Sequence, residues 1–175
     1  FGYMVGDFVR DKDAVTAALL ACEIAAWAKE NGSSFYNELL NIYAKNGFYK
    51  EHLISIVKKG MDGAEQISNM MKGMRENPLT EIDGEKIETL SDYQSSIRKN
   101  LITGEEITMD IPKSNVLIYQ TESGTRIAAR PSGTEPKIKF YFSVNTKLAN
   151  TAIASQVEAE LAAKIERIIQ EMNLI

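Results

Sequence analysis

One cysteine, Cys22, occurs in 175 residues, so an internal disulfide is excluded and a reducing compartment is expected. No apolar run approaches the roughly 18 residues of a membrane-spanning helix. No charged and apolar leader with a cleavage signal opens the chain. Basic residues are not in excess: 20 Lys and Arg face 24 Asp and Glu, for a net charge of −4. A chain of that balance has no overall positive field to gather nucleic acid. The single histidine, His52, lies in a strand-like stretch and reads as structural or exposed rather than catalytic. No Asp or Glu cluster has magnesium-ligand spacing. Repeats and low-complexity segments are absent. Together these absences predict a cytoplasmic protein with no membrane partner, no nucleic-acid partner and no metal of its own.

What remains is the composition of a globular protein, 44% hydrophobic and 25% charged. The length suits one full domain plus a remnant. The chain begins at Phe1 rather than Met and enters loop-like sequence at once, the expectation for a piece of a longer protein. Residues 14–29 are apolar almost all round, with Val15, Leu19, Leu20, Ile24 and Trp27 among alanines. A helix of that kind is normally buried in a larger body. Asp11 or Asp13 caps its start, and Asn31-Gly32 ends it. Ser33 or Ser34 caps a second helix, closed by Asn46-Gly47. A domain boundary is placed here, giving a remnant over 1–46 and a domain over 47–175.

The second part predicts an α+β fold: an antiparallel sheet of about four to five strands with two helices packed on one face. Residues 48–58, 86–90, 115–120, 125–130 and 137–144 read as strands. Asp62-Gly63-Ala64-Glu65 has capping-box spacing, and Ile67, Met70, Met71 and Met74 then fall on one helical face. Core packing is the expected use of those methionines. Residues 92–113 show no period and read as a long surface loop. Ile153, Val157, Leu161, Ile165, Ile168 and Met172 form the stripe of a final helix over 148–172. In the last strand Ile138, Phe140, Phe142 and Val144 alternate with Lys137, Lys139, Tyr141 and Ser143.

Between two of these strands lies Arg130-Pro131-Ser132-Gly133-Thr134-Glu135-Pro136. A phosphate monoester carries a charge of roughly −1.5 to −2 and several strong acceptors. Arg130 offers a planar fork of donors, and Ser132 and Thr134 offer hydroxyls. Gly133 has no Cβ to keep an anion from the backbone and is free to take a positive φ. On the polar sheet face, Arg126, Arg130 and Lys139 are expected to gather beside the turn.

These residues carry a family resemblance. Arg130-Pro131-Ser132-Gly133-Thr134-Glu135-Pro136-Lys137 resembles the phosphate-binding loop of the α-D-phosphohexomutases, the phosphoglucomutases and phosphomannomutases. The stretch from Phe1 to Asp13 resembles the segment that follows that family's sugar-binding Glu-Glu-Ser loop. The resemblance covers essentially the whole chain and implies the tail of a third domain followed by a fourth. It implies that Arg130, Ser132, Gly133, Thr134 and Lys139 bind a substrate phosphate. It also implies that Lys12 matches a lysine reaching the cleft near the transferred group, a catalytic assignment. The parent enzyme would move a phosphoryl group between the 1- and 6-positions of a hexose, using a phosphoserine, Mg2+ and a hexose 1,6-bisphosphate intermediate. Its other partners would be the phosphorylated hexose and the upstream domains of the same chain. The serine motif Thr-Ala-Ser-His-Asn-Pro, the Asp-Gly-Asp magnesium loop and the Glu-Glu-Ser loop are all missing from this sequence. The chain by itself is therefore expected to be inactive. The alternative is a stand-alone, non-catalytic module that binds a phosphorylated ligand.

Overall fold

The computed structural model describes residues 4–60 and 62–174; Phe1, Gly2 and Tyr3 of the first resembling stretch lie outside them. The chain forms two compact units, Phe1–Gly47 with Lys147–Ala154 and Phe48–Thr146 with Ser155–Ile175.

In the first unit, helix α1 runs Ala14–Glu30 and α2 runs Phe35–Asn46. Of the two candidate caps, Asp13 starts α1. Its carboxylate accepts from the backbone N–H of Val15 at 3.0 Å and from the Thr16 hydroxyl at 2.6 Å. The Thr16 hydroxyl, ahead of the backbone donors, holds the Asp13 carboxyl below its ordinary value. Ser34 caps α2, accepting from Asn37 N–H at 3.1 Å. Gly32 and Gly47 follow the helices at φ +68° and +100°, where a side chain would be strained. Val15, Leu19, Trp27, Phe35 and Ile42 are exposed, so the all-round apolar character of α1 is not matched by cover among the described residues.

The second unit is built on strands β1 (Phe48–Val57), β2 (Glu81–Ile82), β3 (Glu85–Asp92), β4 (Ile97–Asn100), β5 (Glu106–Thr108), β6 (Leu117–Thr121), β7 (Arg126–Pro131) and β8 (Lys137–Thr146). Their order is β1-β8-β7-β6-β3-β4-β5, with β2 pairing β3, and the pairings are antiparallel. Among the described residues eight strands therefore stand where four to five were expected. The additional ones are β2, β4 and β5, each four residues or shorter. Within 92–113, residues 97–108 are thus a hairpin rather than a loop. Asn100 makes its turn, its side-chain oxygen accepting from Ile102 and Thr103 N–H at 2.9 Å, while Gly104 takes φ +77°. Strands this short carry too few positions to establish a period of two.

Helices α3 (Gly63–Glu76) and α4 (Ala154–Glu171) cover one face. Ile138, Phe140, Phe142 and Val144 of β8 are buried, together with Ile67 and Met71 of α3 and Val157, Leu161, Ile165 and Ile168 of α4. Ile153 departs from the expected stripe: it lies in a short 3-10 turn, Thr151–Ile153, and is exposed. The expected capping box fails as well, because Asp62 makes no side-chain cap bond to α3. Gly63 is there for another reason. A Cβ on it would meet the Lys58 carbonyl oxygen at 2.2 Å and Pro136 Cβ at 3.1 Å, so only glycine lets α3 start against the end of β1. Met70, Met74 and Met172 border an apolar cavity of about 280 Å³ with Tyr119 and Phe140. The Tyr119 hydroxyl donates to the Met74 carbonyl at 2.8 Å, and burial pushes its pKa up to about 12. Ion pairs tie α4 down: Lys164 to Glu85 at 2.6 Å, Arg167 to Asp83 at 2.6 Å and Lys50 to Glu158 at 3.0 Å.

Candidate functional site

The β7–β8 hairpin positions the site. Arg130 stands directly opposite Lys139 in the register, and Pro131 opposite Ile138. Because side chains alternate along a strand, the burial of Ile138 and Phe140 puts Lys137, Lys139 and Tyr141 on the face away from the helices. The ladder closes once more beyond Pro131, where Ser132 N–H donates to the Lys137 carbonyl at 2.7 Å. Above that bond the chain makes the short loop 132–136. Its far side is braced from β1, where Lys58 N–H donates to the Pro136 carbonyl at 2.9 Å.

Arg130, Pro131, Ser132, Gly133, Lys137, Lys139 and Tyr141 line one open cavity of about 260 Å³. The cations in it are not equivalent. Lys137 Nζ pairs with Glu135 at 2.6 Å. Among the described residues, neither Arg130 nor Lys139 has a carboxylate within ion-pair distance. Glu135 is held below the ordinary carboxylate value, first by its hydrogen bond to Lys137, then by the charge of Lys137 and, after the small opposing effect of burial, that of Lys139.

Of the residues singled out in the sequence, Arg130, Ser132, Gly133 and Lys139 come together here. Thr134 does not line the cavity; it is exposed at the tip, its N–H donating to Ser132 Oγ at 3.4 Å. Gly133 does not adopt a positive φ, and a Cβ on it would meet nothing within 4 Å. The fold of the loop therefore does not require glycine at this position. Arg126 shares the face but sits opposite Ser143, toward the other end of β7, and is not part of the lining. Four residues of strand place it about 13 Å from Arg130. The third cation is Lys137 instead. The period of two already put Lys137 and Tyr141 on this face; what sequence reasoning missed is their closeness to the turn. Lys12 belongs to the first unit, where its ammonium pairs with Asp11 at 2.6 Å and both side chains are exposed. That bond to Lys12 keeps the Asp11 carboxyl low.

Chemically, the cavity offers a planar guanidinium, two ammonium groups, the hydroxyl-bearing side chains of Ser132 and Tyr141 and a glycine backbone within one concavity. That donor set fits a small, multiply charged oxyanion.

Comparison with known proteins falls on the same stretch of chain. Residues 80–160, which include β6, β7 and β8 and the loop 132–136, match the family model for the phosphoglucomutase/phosphomannomutase C-terminal domain. The chain is 36% identical over 145 residues to a phosphoglucomutase of Staphylococcus haemolyticus (strain JCSC1435), covering 83% of this chain and 26% of the relative. It is 39% identical over 144 residues to a phosphoglucomutase of Staphylococcus aureus (strain MRSA252), covering 82% and 26%. The chain thus spans about a quarter of the length of the curated relatives it matches. The family model falls on the site and both relatives align over more than four-fifths of this sequence: over residues 80–160 the chain carries a stretch that matches the C-terminal domain of the phosphoglucomutase/phosphomannomutase family.

Proposed function

We propose that this chain is the substrate-phosphate-binding part of an enzyme that interconverts hexose 1-phosphate and hexose 6-phosphate, an isomerase working by intramolecular phosphoryl transfer. The observation that carries the proposal is the register of Arg130 against Lys139 over a cavity that also takes in Ser132, Gly133 and Lys137. In this reading the hairpin tip holds the phosphate that is not reacting. Charge-assisted hydrogen bonds contribute on the order of 1.5–3 kcal/mol each. Energy from that remote group fixes the sugar, so that its other end reacts as if within one molecule. Tyr141, next along β8 on the same face, would meet the ligand beyond its phosphate.

The rest of the reaction calls for groups outside this chain. A phosphoserine would donate the phosphoryl group, and a hexose 1,6-bisphosphate would form and turn over before the return transfer. The Mg2+ expected for the parent enzyme is proposed to be held by groups outside this stretch; among the described residues no group of three or more His, Cys, Asp or Glu side chains could hold a metal ion. Lys12 is proposed to reach the cleft in the assembled parent, and the upstream domains of the same chain are the proposed protein partner. Residues 1–46 are proposed as the tail of the third domain and 47–175 as the fourth. A cytoplasmic location is part of the proposal; among the described residues no helix is long and apolar enough to cross a membrane.

Two measurements test the reading. With glucose 1-phosphate and a glucose 6-phosphate readout, the 175-residue chain is expected to give no turnover; turnover by the chain alone overturns the division of labour. Gly133→Ala is expected to fold as the wild type does, since its Cβ enters open space, yet to bind glucose 6-phosphate about tenfold more weakly, because the new methyl stands where the anion meets the backbone. Unchanged affinity would show that the ligand does not approach Gly133.

A further inference from the structure

Glu135 has no part in the clamp just described, yet it sits on one of its cations. The loop geometry keeps it there. Lys137 N–H donates to the Glu135 carbonyl at 2.7 Å, turning the chain so that the two side chains fall on the same side, and their charges meet at 2.6 Å. The two ends of the pair differ in environment: Glu135 is 60% exposed and Lys137 27%. No other hydrogen bond or ion pair is made by the Glu135 side chain among the described residues. An ion pair with one partner this exposed contributes little, and either end can leave it for a better partner.

Phosphate is a better partner. The resident carboxylate brings one negative charge, whereas a phosphate monoester brings up to two and can touch Arg130, Lys137 and Lys139 together. Three cations and Glu135 leave the empty site with two net positive charges, which matches a dianion and exceeds what a carboxylate ligand supplies. Resting on the clamp reading, we propose that Glu135 is a displaceable counter-ion, which occupies Lys137 while the site is empty, yields it to a phosphate dianion, and excludes anions that bind no better than a carboxylate. Glu135 is thus a specificity residue that competes with the ligand rather than contacting it.

The test uses the 15N-labelled chain titrated with inorganic phosphate and followed by residue-resolved NMR. Glu135→Gln keeps the shape of the exposed side chain and removes its charge. It is expected to bind phosphate about 3- to 10-fold more tightly than the wild type, the size set by one charge a few ångströms from the ligand in a solvated site. The gain is expected to disappear in a Lys137→Met background, because it acts through that lysine. Unchanged or weaker binding by Glu135→Gln overturns the proposal, as does a gain that persists without Lys137. Arg130→Ala, run in parallel, separates the two claims. If Arg130→Ala weakens phosphate binding while Glu135→Gln leaves it unchanged, the clamp stands and the counter-ion role falls. If neither the wild type nor any variant responds to phosphate at the hairpin tip, both fall.

Discussion

Replacing Arg130 by alanine is expected to weaken glucose 6-phosphate binding by about 2–3 kcal/mol, or roughly 30- to 150-fold, with little change in stability. The size follows from the loss of a forked, charge-assisted contact that no neighbour can replace. Lys139 stands directly across the ladder and Lys137 is engaged by Glu135, but neither ammonium can present two parallel N–H donors to two oxygens. The small effect on stability follows from exposure: Arg130 makes no ion pair among the described residues, and surface changes of that kind usually stay within about 0.5 kcal/mol. Titration of the purified variant together with its melting temperature checks both halves. Arg130→Lys should recover part of the loss, because it restores charge without the fork. Under the proposed role of the hairpin tip, the same change in an intact parent enzyme is expected to lower kcat/KM by a similar factor, since binding energy from the idle phosphate would then assist the reacting end.

Phe140→Ala carries the largest expected cost to the fold. Phe140 is 0% exposed, lies between Ile54 of β1 and Ala129 of β7 in the register, and borders the cavity shared with Met70, Met74 and Met172. Truncating a buried phenylalanine removes transfer energy and leaves a void, together about 3–5 kcal/mol. A small protein has roughly 5–15 kcal/mol in all. A fall in the melting temperature of about 10 °C or more is expected, read by calorimetry or circular dichroism. Methionines around the existing cavity are adaptable and will fill part of the new space, which places the loss toward the lower end of the range. Phe140 and Lys139 are neighbours on opposite faces of β8, so this substitution also separates two properties: phosphate affinity should be nearly normal in whatever fraction remains folded.

Much of this architecture could be read from particular residues. The strict alternation from Lys137 to Ser143 placed the cations on one face and Phe140 on the other before any coordinates, and β8 realises that division. Asp13, Ser34, Gly32 and Gly47 act where their chemistry says they should. The misses share a physical cause. The strands β4 and β5 are too short for a period to emerge, and the hairpin they form is specified by Asn100 and Gly104, a turn whose ends lie four residues apart. Asp62 looked like a cap, but the close approach of Gly63 to the Lys58 carbonyl, invisible in sequence, governs that helix start. At the site, residue type was legible, and the spacing held the distances as well. Arg126 and Lys137 are both basic and both on the open face, but Lys137 directly follows the turn whereas Arg126 lies four strand residues from Arg130, and only Lys137 lines the cavity. Pairing between Glu135 and Lys137, two residues apart in a bent loop, was beyond a reading by period alone.

The account rests on the β7–β8 tip being the place where a sugar phosphate is held. A crystal structure of the chain soaked with glucose 6-phosphate tests this most directly. Phosphate density is expected in the cavity beside Ser132 and Gly133, with its oxygens about 3 Å from the Arg130 guanidinium and the Lys139 ammonium. Phosphate density elsewhere on the second unit, such as beside Arg98 or Arg126, with the hairpin tip empty at saturating ligand, would contradict it.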